Sequence, residues 1–268
     1  MTSTPATASA SALDVTDLRL KVQHMYEQVA LDPHDGHFHF EMGRGLAERL
    51  GYPAAELDRV PAEAIASFAG VGYYFDLAAL EPGERVIDLG SGSGMDAFIA
   101  ASKVGTAGHV AGVDMTDAQL DKARRLADAG GVRNLELRKG LLEEIPAPDG
   151  AADCVISNGV INLCPDKSLV FAEIARVLRP GGRLALADIV TDVQLPENIT
   201  CNATLWAACI GGAAQLDAYG AAIEGAGLRI AAVRANPEYQ FLSRSAQNAS
   251  RQYGVRSVSL LALKEARP

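Results

Sequence analysis

Aromatic residues make up only 6% of the 268 residues, with a single Trp, cysteines number four, and basic side chains are outnumbered 24 to 33 by acidic ones. Each scarcity removes a class of function. A net charge of -9 without clustered Lys and Arg excludes broad electrostatic binding to nucleic acid or to an anionic membrane surface. No window approaches the roughly 20 unbroken apolar residues that a spanning helix requires. The opening MTSTPATASASALDVTDL has no Lys or Arg and no apolar core, so it resembles neither a secretory signal nor an Arg-rich transit peptide, and a soluble, cytoplasmic protein is expected. Cys154, Cys164, Cys201 and Cys209 follow no CxxC or Cys/His zinc spacing, so free thiols are expected and no metal site is assigned. What remains is a chain long enough to bury a core unaided, with an ordinary content of 26 Gly and 12 Pro.

Residues 1–14 are small and polar and read as a disordered tail. From Thr16, Leu18, Val22, Met25, Tyr26 and Val29 recur at helical spacing and predict an amphipathic helix over 16–30. A loop with three histidines follows, then short helices near 43–50 and 61–68. The region 15–80 thus reads as a helical cap. Beyond it, short apolar runs alternate with helical stretches, which implies βαβ units and a parallel sheet, an α/β domain over 81–268. The expected strands are 86–90, 109–114, 135–139, 154–158, 183–189 and 228–234, with helices near 94–104, 117–129, 166–178 and 214–226. Thr116 and Gln119 have the spacing of a capping box for the second of these, and Gly130-Gly131 closes it.

The most informative stretch is VIDLGSGSG, residues 86–94, a buried strand running into Gly90, Ser91, Gly92 and Gly94 and then a helix. Glycine allows a tight turn there and lets a ligand approach bare backbone at a helix N-terminus. About twenty residues on, at the end of the second strand, Asp114 can accept both hydroxyls of a ribose. The third Gly of the dinucleotide fingerprint is replaced by Met95, so a nicotinamide dehydrogenase is the runner-up to a different nucleoside cofactor.

The spacing D-x-G-x-G-x-G from Asp88 to Gly94 resembles motif I of class I S-adenosylmethionine methyltransferases. VDMT (113–116), Gly140 with Glu143, ADCVISN (152–158) and LRPGGRLALAD (178–188) come in that family's order. The resemblance implies a Rossmann-like doubly wound sheet and S-adenosylmethionine as cofactor. Asp88 and the glycines would border its methionine end, Asp114 its ribose, Met115 its adenine face, and the backbone near Leu141 and Leu142 its adenine edge. Ser157 and Asn158, where the fourth strand ends, are assigned to the same crevice. Many relatives carry an acidic residue directly after Gly140; Leu141 stands there instead.

A narrower likeness lies at the acceptor side. ISNGVINLCPDK (156–167), LWAACIGGA (205–213) and SFAGVGYYFDLAALEPGERV (67–86) resemble segments of arsenite S-adenosylmethionine methyltransferases. That family's chemistry uses three thiolates around trivalent arsenic, a soft acceptor matched to soft sulfur. Position by position only Cys209 is kept: Gly159 and Val71 stand where the other two cysteines are expected. Cys164 is the candidate second thiol. Tyr73 and Tyr74 replace a common Asn-Pro and are expected to form a larger, aromatic pocket floor, and Gly159, Asn162 and Trp206 are further acceptor-side candidates.

His37, His39 and Glu41 of the HDGHFHFE loop could ligate a metal, supply a base, or sit solvated; H-x-H alone defines no metal site. The reading is a methyltransferase for a small-molecule acceptor, an organic metabolite or thiol, without nucleic-acid or membrane partners. Arsenite through Cys209 and Cys164 is the alternative, and a non-catalytic S-adenosylmethionine binder is the third. Oligomeric state is not legible.

Overall fold

The computed structural model describes residues 14–266, except 34–37, 39, 201–205, 207–209 and 243. Strands β1 (Arg85–Leu89), β2 (His109–Asp114), β3 (Leu135–Lys139), β4 (Ala152–Asn158), β5 (Leu178–Thr191), β6 (Ala214–Gln215), β7 (Leu228–Ala235) and β8 (Arg256–Lys264) form one sheet in the order β3-β2-β1-β4-β5-β8-β7, with β6 paired to β5. The first five are parallel; β8 runs antiparallel between β5 and β7. This is the Rossmann-like doubly wound sheet expected from the alternating pattern, with helical crossovers from β1 to β2, from β2 to β3 and from β4 to β5. The expectation omitted β8 and the helix Arg244–Tyr253 before it.

Ahead of the sheet lie α1 (Val15–Leu31), α2 (Arg44–Arg49), α3 (Ala54–Leu57), α4 (Ala62–Ala66) and α5 (Phe75–Ala78). Helices α6 (Met95–Val104), α7 (Asp117–Gly130) and α8 (Lys167–Val177) follow β1, β2 and β4. Asp14 caps α1 by accepting from the amides of Thr16 and Asp17. The capping box expected at Thr116 is not formed: Thr116 makes no side-chain cap bond, and the Gln119 amide instead accepts from Ser93 Oγ and donates to Tyr26 O. Gly131, at φ 64°, does end α7 in a left-handed turn.

Period-2 alternation sends neighbouring residues of β1 to opposite layers. Ile87 and Leu89 pack with Phe171, Ile174 and Tyr219 on the α8 side. Val86 packs with Phe98, Val104 and Ile156 on the α6 side, and Leu18, Val22, Leu46, Leu57, Phe68 and Tyr74 join the same cluster. Residues 15–80 therefore cover the α6 layer as part of one continuous core. Asp88, which alternates in phase with Val86, is turned toward this layer beneath the cap. No described helix is long and apolar enough to cross a membrane.

Candidate active site

The C-terminal ends of β1, β2 and β4, the turns that leave them, and α1 enclose a cavity of about 1090 Å³, counting the solvent at its mouth. Its floor is the turn after β1. Gly90, Gly92 and Gly94 adopt φ of 67°, 52° and 94°. A Cβ on Gly90 would meet Val160 at 2.7 Å, so a side chain is excluded there by space as well as conformation. Asp114 ties the floor together: its carboxylate accepts from Gly92 N at 3.0 Å and Thr116 N at 2.8 Å.

Four carboxylates, Asp88, Asp96, Asp114 and Glu143, line this one cavity, and of these Glu143 is paired with Arg19. Burial, with Asp96 and Asp114 nearby, pushes the Asp88 carboxyl well above the usual carboxylate range. Its Oδ2 is buried without a hydrogen-bond partner. Asp96 and Asp114 are likewise raised by burial, with bonds to the charged forms pulling back. Asp96 accepts from Tyr52 Oη and Tyr74 Oη, each at 2.8 Å, and from Asn158 Nδ2 at 3.1 Å. Such a lining favours a ligand that brings positive charge.

Of the residues singled out in the sequence, Asp88, Gly90, Ser91, Gly92, Gly94, Asp114, Met115, Leu141, Leu142, Asn158, Gly159 and Cys164 do border the cavity. Others are placed elsewhere. Ser157 is buried and donates to Leu89 O at 3.3 Å, a strand-to-strand contact outside the lining. The polar atoms of Asn158 are engaged by Val71 N, Gly72 O, Tyr52 and Asp96. Tyr73 and Tyr74 do not form a pocket floor: Tyr73 meets Tyr52 edge-on with ring centroids 5.0 Å apart, and Tyr74 is fully buried behind Asp96. Asn162 turns inward to Asp188, donating from its amide N at 2.9 Å and its side chain at 2.5 Å. Trp206 covers the Lys167 ammonium, 5.1 Å from the ring centre.

Glu41 is clasped by Arg49, which holds its carboxyl below the usual range and takes it out of service as a base at this cavity. His37, His39 and Cys209 lie outside the described residues. Burial pushes the Cys164 thiol up, so it faces the cavity as a neutral group. Among the described residues no group of three or more His, Cys, Asp or Glu is placed to hold a metal ion.

Sequence reasoning missed Asp96, although an acidic residue in the first helical turn after the glycine loop was a usable signal. It also missed Arg19, which reaches from α1 over the cavity so that Nη2 donates to Glu143 Oε1 at 3.1 Å. No periodicity announces such a long-range pair.

Residues 80–236 match the family described as Methyltransferase domain. The chain belongs to that methyltransferase family. Arsenite methyltransferase from Halobacterium salinarum is 41% identical over 181 residues, 68% of this chain and 46% of that protein. The Homo sapiens arsenite methyltransferase is 40% identical over 137 residues, 48% of this chain and 36% of that one. This methyltransferase thus spans less than half the length of those curated relatives. The crystal structure of an arsenic(III) S-adenosylmethionine methyltransferase from Chlamydomonas reinhardtii aligns with a TM-score of 0.68 at 34% identity, covering 80% of this chain and 73% of that one. A geranyl diphosphate methyltransferase, with a TM-score of 0.66 at 18% identity over 92% of this chain and 99% of its own, shares the fold.

The residues of this methyltransferase fit S-adenosylmethionine. The glycine turn is bare, the buried and unpartnered Asp88 Oδ2 could accept from an ammonium, and the Asp114 carboxylate keeps lone pairs that could accept from ribose hydroxyls. Met115, Leu141 and Leu142 supply apolar surface for a flat base.

Proposed function

We propose that this chain transfers the methyl group of S-adenosylmethionine to a small acceptor, an organic metabolite or thiol, seated against residues 68–70 and Gly159–Pro165. The carrying observation is the pairing of residues 71 and 159. Val71 and Gly159 stand where the sequence likeness to arsenite enzymes calls for two cysteines, and a Cβ added at Gly159 would lie 3.2 Å from Val71 Cγ1. The two positions adjoin, Gly159 on the cavity lining and Val71 buried directly behind it, and neither carries a thiol.

S-adenosylmethionine supplies a methyl carbon on a positively charged sulfur. Transfer is an in-line displacement, so the task left to the protein is to align the acceptor and exclude water. Phe68, Val160 and Leu163 supply the dry surface at the acceptor end. Asp88, Asp96 and Asp114 line the cavity, where a cationic reactant would favour their charged forms against the desolvation that raises them. Helix α1 closes the opposite side through Val22, Tyr26 and the Arg19–Glu143 pair.

A second reading, arsenite as acceptor, is favoured by the Cys164 thiol on the cavity wall and by relatives named arsenite methyltransferases. Labelled S-adenosylmethionine, offered with arsenite plus glutathione, with cysteine or thiophenol, and with catechol, separates the readings. The proposal expects label in an organic product, undiminished by Cys209→Ser. Label in an arsenical, lost in Cys164→Ala or Cys209→Ser, would replace it by the arsenite reading. Binding of the cofactor with no S-adenosylhomocysteine formed from any acceptor would sink both in favour of a non-catalytic binder.

A further inference from the structure

Segment 69–73, AGVGY, belongs to no helix or strand, yet four of its backbone groups, Val71 N, Val71 O, Gly72 O and Tyr73 O, are bonded by side chains from far along the chain. On one side, Asn158 at the exit of β4 accepts from Val71 N at 2.8 Å and donates to Gly72 O at 3.0 Å. Asn158 is itself oriented by Tyr52 Oη at 3.0 Å and by Asp96 Oδ2 at 3.1 Å, and Asp96 is fixed by the hydroxyls of Tyr52 and Tyr74. On the other side, Ser257 Oγ on β8 donates to Val71 O at 2.6 Å, and Ser259 Oγ donates to Tyr73 O at 2.9 Å. Asn236, just past β7, donates to Ser257 Oγ at 2.9 Å, and Arg234 Nη2 donates to Tyr73 O at 2.9 Å.

The two sets meet with no slack. A Cβ on Gly72 would stand 2.2 Å from Asn236 Nδ2 and 2.9 Å from Ala187 Cβ; one on Gly70 would stand 2.6 Å from Asn158 Nδ2. Ser257 and Ser259 are 2% and 0% exposed, so water does not substitute for these bonds. Ala69 and Gly70, at the start of the segment, line the cavity beside Asn158 and Gly159.

Resting on the transferase reading above, we propose that Ser257 and Asp96 are positioning residues for the methyl acceptor: from opposite sides they clamp segment 69–73 and so set where the acceptor sits relative to the transferred methyl. Ser257 lies off the cavity lining, and Asp96, which is on it, reaches the segment only through Asn158. Each acts through Val71, whose N–H is held by the Asp96-oriented Asn158 and whose carbonyl is held by Ser257. Displacement of a wall by about 1 Å is enough to cost on the order of a hundredfold in an aligned transfer. The cofactor's floor, Asp88–Gly94 with Asp114, is bonded separately and is unaffected by the clamp.

The test is Ser257→Ala, with Ser257→Thr as the conservative restoration, measured on the fastest acceptor of the panel above and by hydrogen exchange. Ser257→Ala is expected to lower kcat/KM for the acceptor at least tenfold, with the Kd for S-adenosylmethionine within twofold of wild type and Ser257→Thr recovering most of the loss. Exchange in the peptide covering 69–73 should rise at least tenfold while that of 88–94 stays constant. Should Ser257→Ala fail to fold, Ser259→Ala and Tyr74→Phe, which each delete one bond of the clamp, are judged by the same measures. Wild-type acceptor kinetics in a folded variant would overturn the clamp alone. A wild type that binds the cofactor and methylates no acceptor would overturn the transferase reading, and the clamp's acceptor role with it.

Discussion

Val71, buried in the loop before α5, packs behind Gly159 of the turn after β4, which lines the cavity, close enough that a Cβ at 159 would lie 3.2 Å from Val71 Cγ1 and 3.6 Å from Cγ2. Installing both missing thiols, Val71→Cys with Gly159→Cys, should therefore create a site for trivalent arsenic. Titration with phenylarsine oxide should show at least tenfold tighter binding than wild type; unchanged affinity would show that the two positions do not converge. Gly159 has φ 72°, so the cysteine there carries a strain of about 1–2 kcal/mol and Tm should fall. Because Val71→Cys removes a methyl that the new Cβ would meet, the double variant should be more stable than the sum of the two singles.

Asp114 joins the Gly92 amide to the Thr116 amide as well as facing the cavity. Replacing it with Ala leaves both amides without that acceptor and removes the ribose contact. At about 1.5–3 kcal/mol for bonds to a charged group, S-adenosylmethionine should bind roughly 10- to 100-fold more weakly by calorimetry. An affinity within twofold of wild type would rule out the ribose role.

The raised carboxyl of Asp88 has a signed consequence for stability. A folded-state pKa above the unfolded value of about 3.8 means that the folded protein binds more protons, so this group's contribution is most favourable at low pH and is lost as pH rises toward its folded pKa. Asp88→Asn should be more thermostable than wild type without cofactor, by a margin that widens from pH 5 to pH 8, and should bind S-adenosylmethionine more weakly. Parallel Tm curves for the two proteins across that range would contradict it.

The clasp between Arg19 and Glu143 is partly exposed on the Arg side, at 41% against 11% for Glu. A pair of that kind contributes at most about 1 kcal/mol. Arg19→Ala should speed cofactor release in stopped-flow displacement by no more than about fivefold, and raising salt should speed the wild type toward the variant. An unchanged release rate would show that α1 does not gate the cavity.

The glycine-turn side of the cavity was legible because its residues are sequential. A buried parallel strand reads as an unbroken apolar run, and the glycines and Asp114 follow at fixed offsets from such runs. The acceptor half was not, because its members are brought together by tertiary packing. Tyr73 and Tyr74 are adjacent in sequence but serve different neighbours, and nothing in the pair says that Tyr74 backs Asp96 while Tyr73 lies against Tyr52. Strand β8 went unread although Val258, Leu260 and Ala262, almost fully buried, alternate with Ser257 and Ser259 at the strand period. Nothing in that alternation announces that the two serines bond segment 69–73, a contact made only by tertiary packing.

Strand β8 is also the last in chain order of the sheet's described strands. Asp88, the glycine turn and Asp114 can assemble while translation is still under way, but Val71 and Tyr73 must wait for Ser257 and Ser259 before their carbonyls are bonded. A nascent chain halted before Arg256 would thus hold the elements of the cofactor floor without a finished acceptor wall, and competence for transfer would arrive only with the final strand of the sheet.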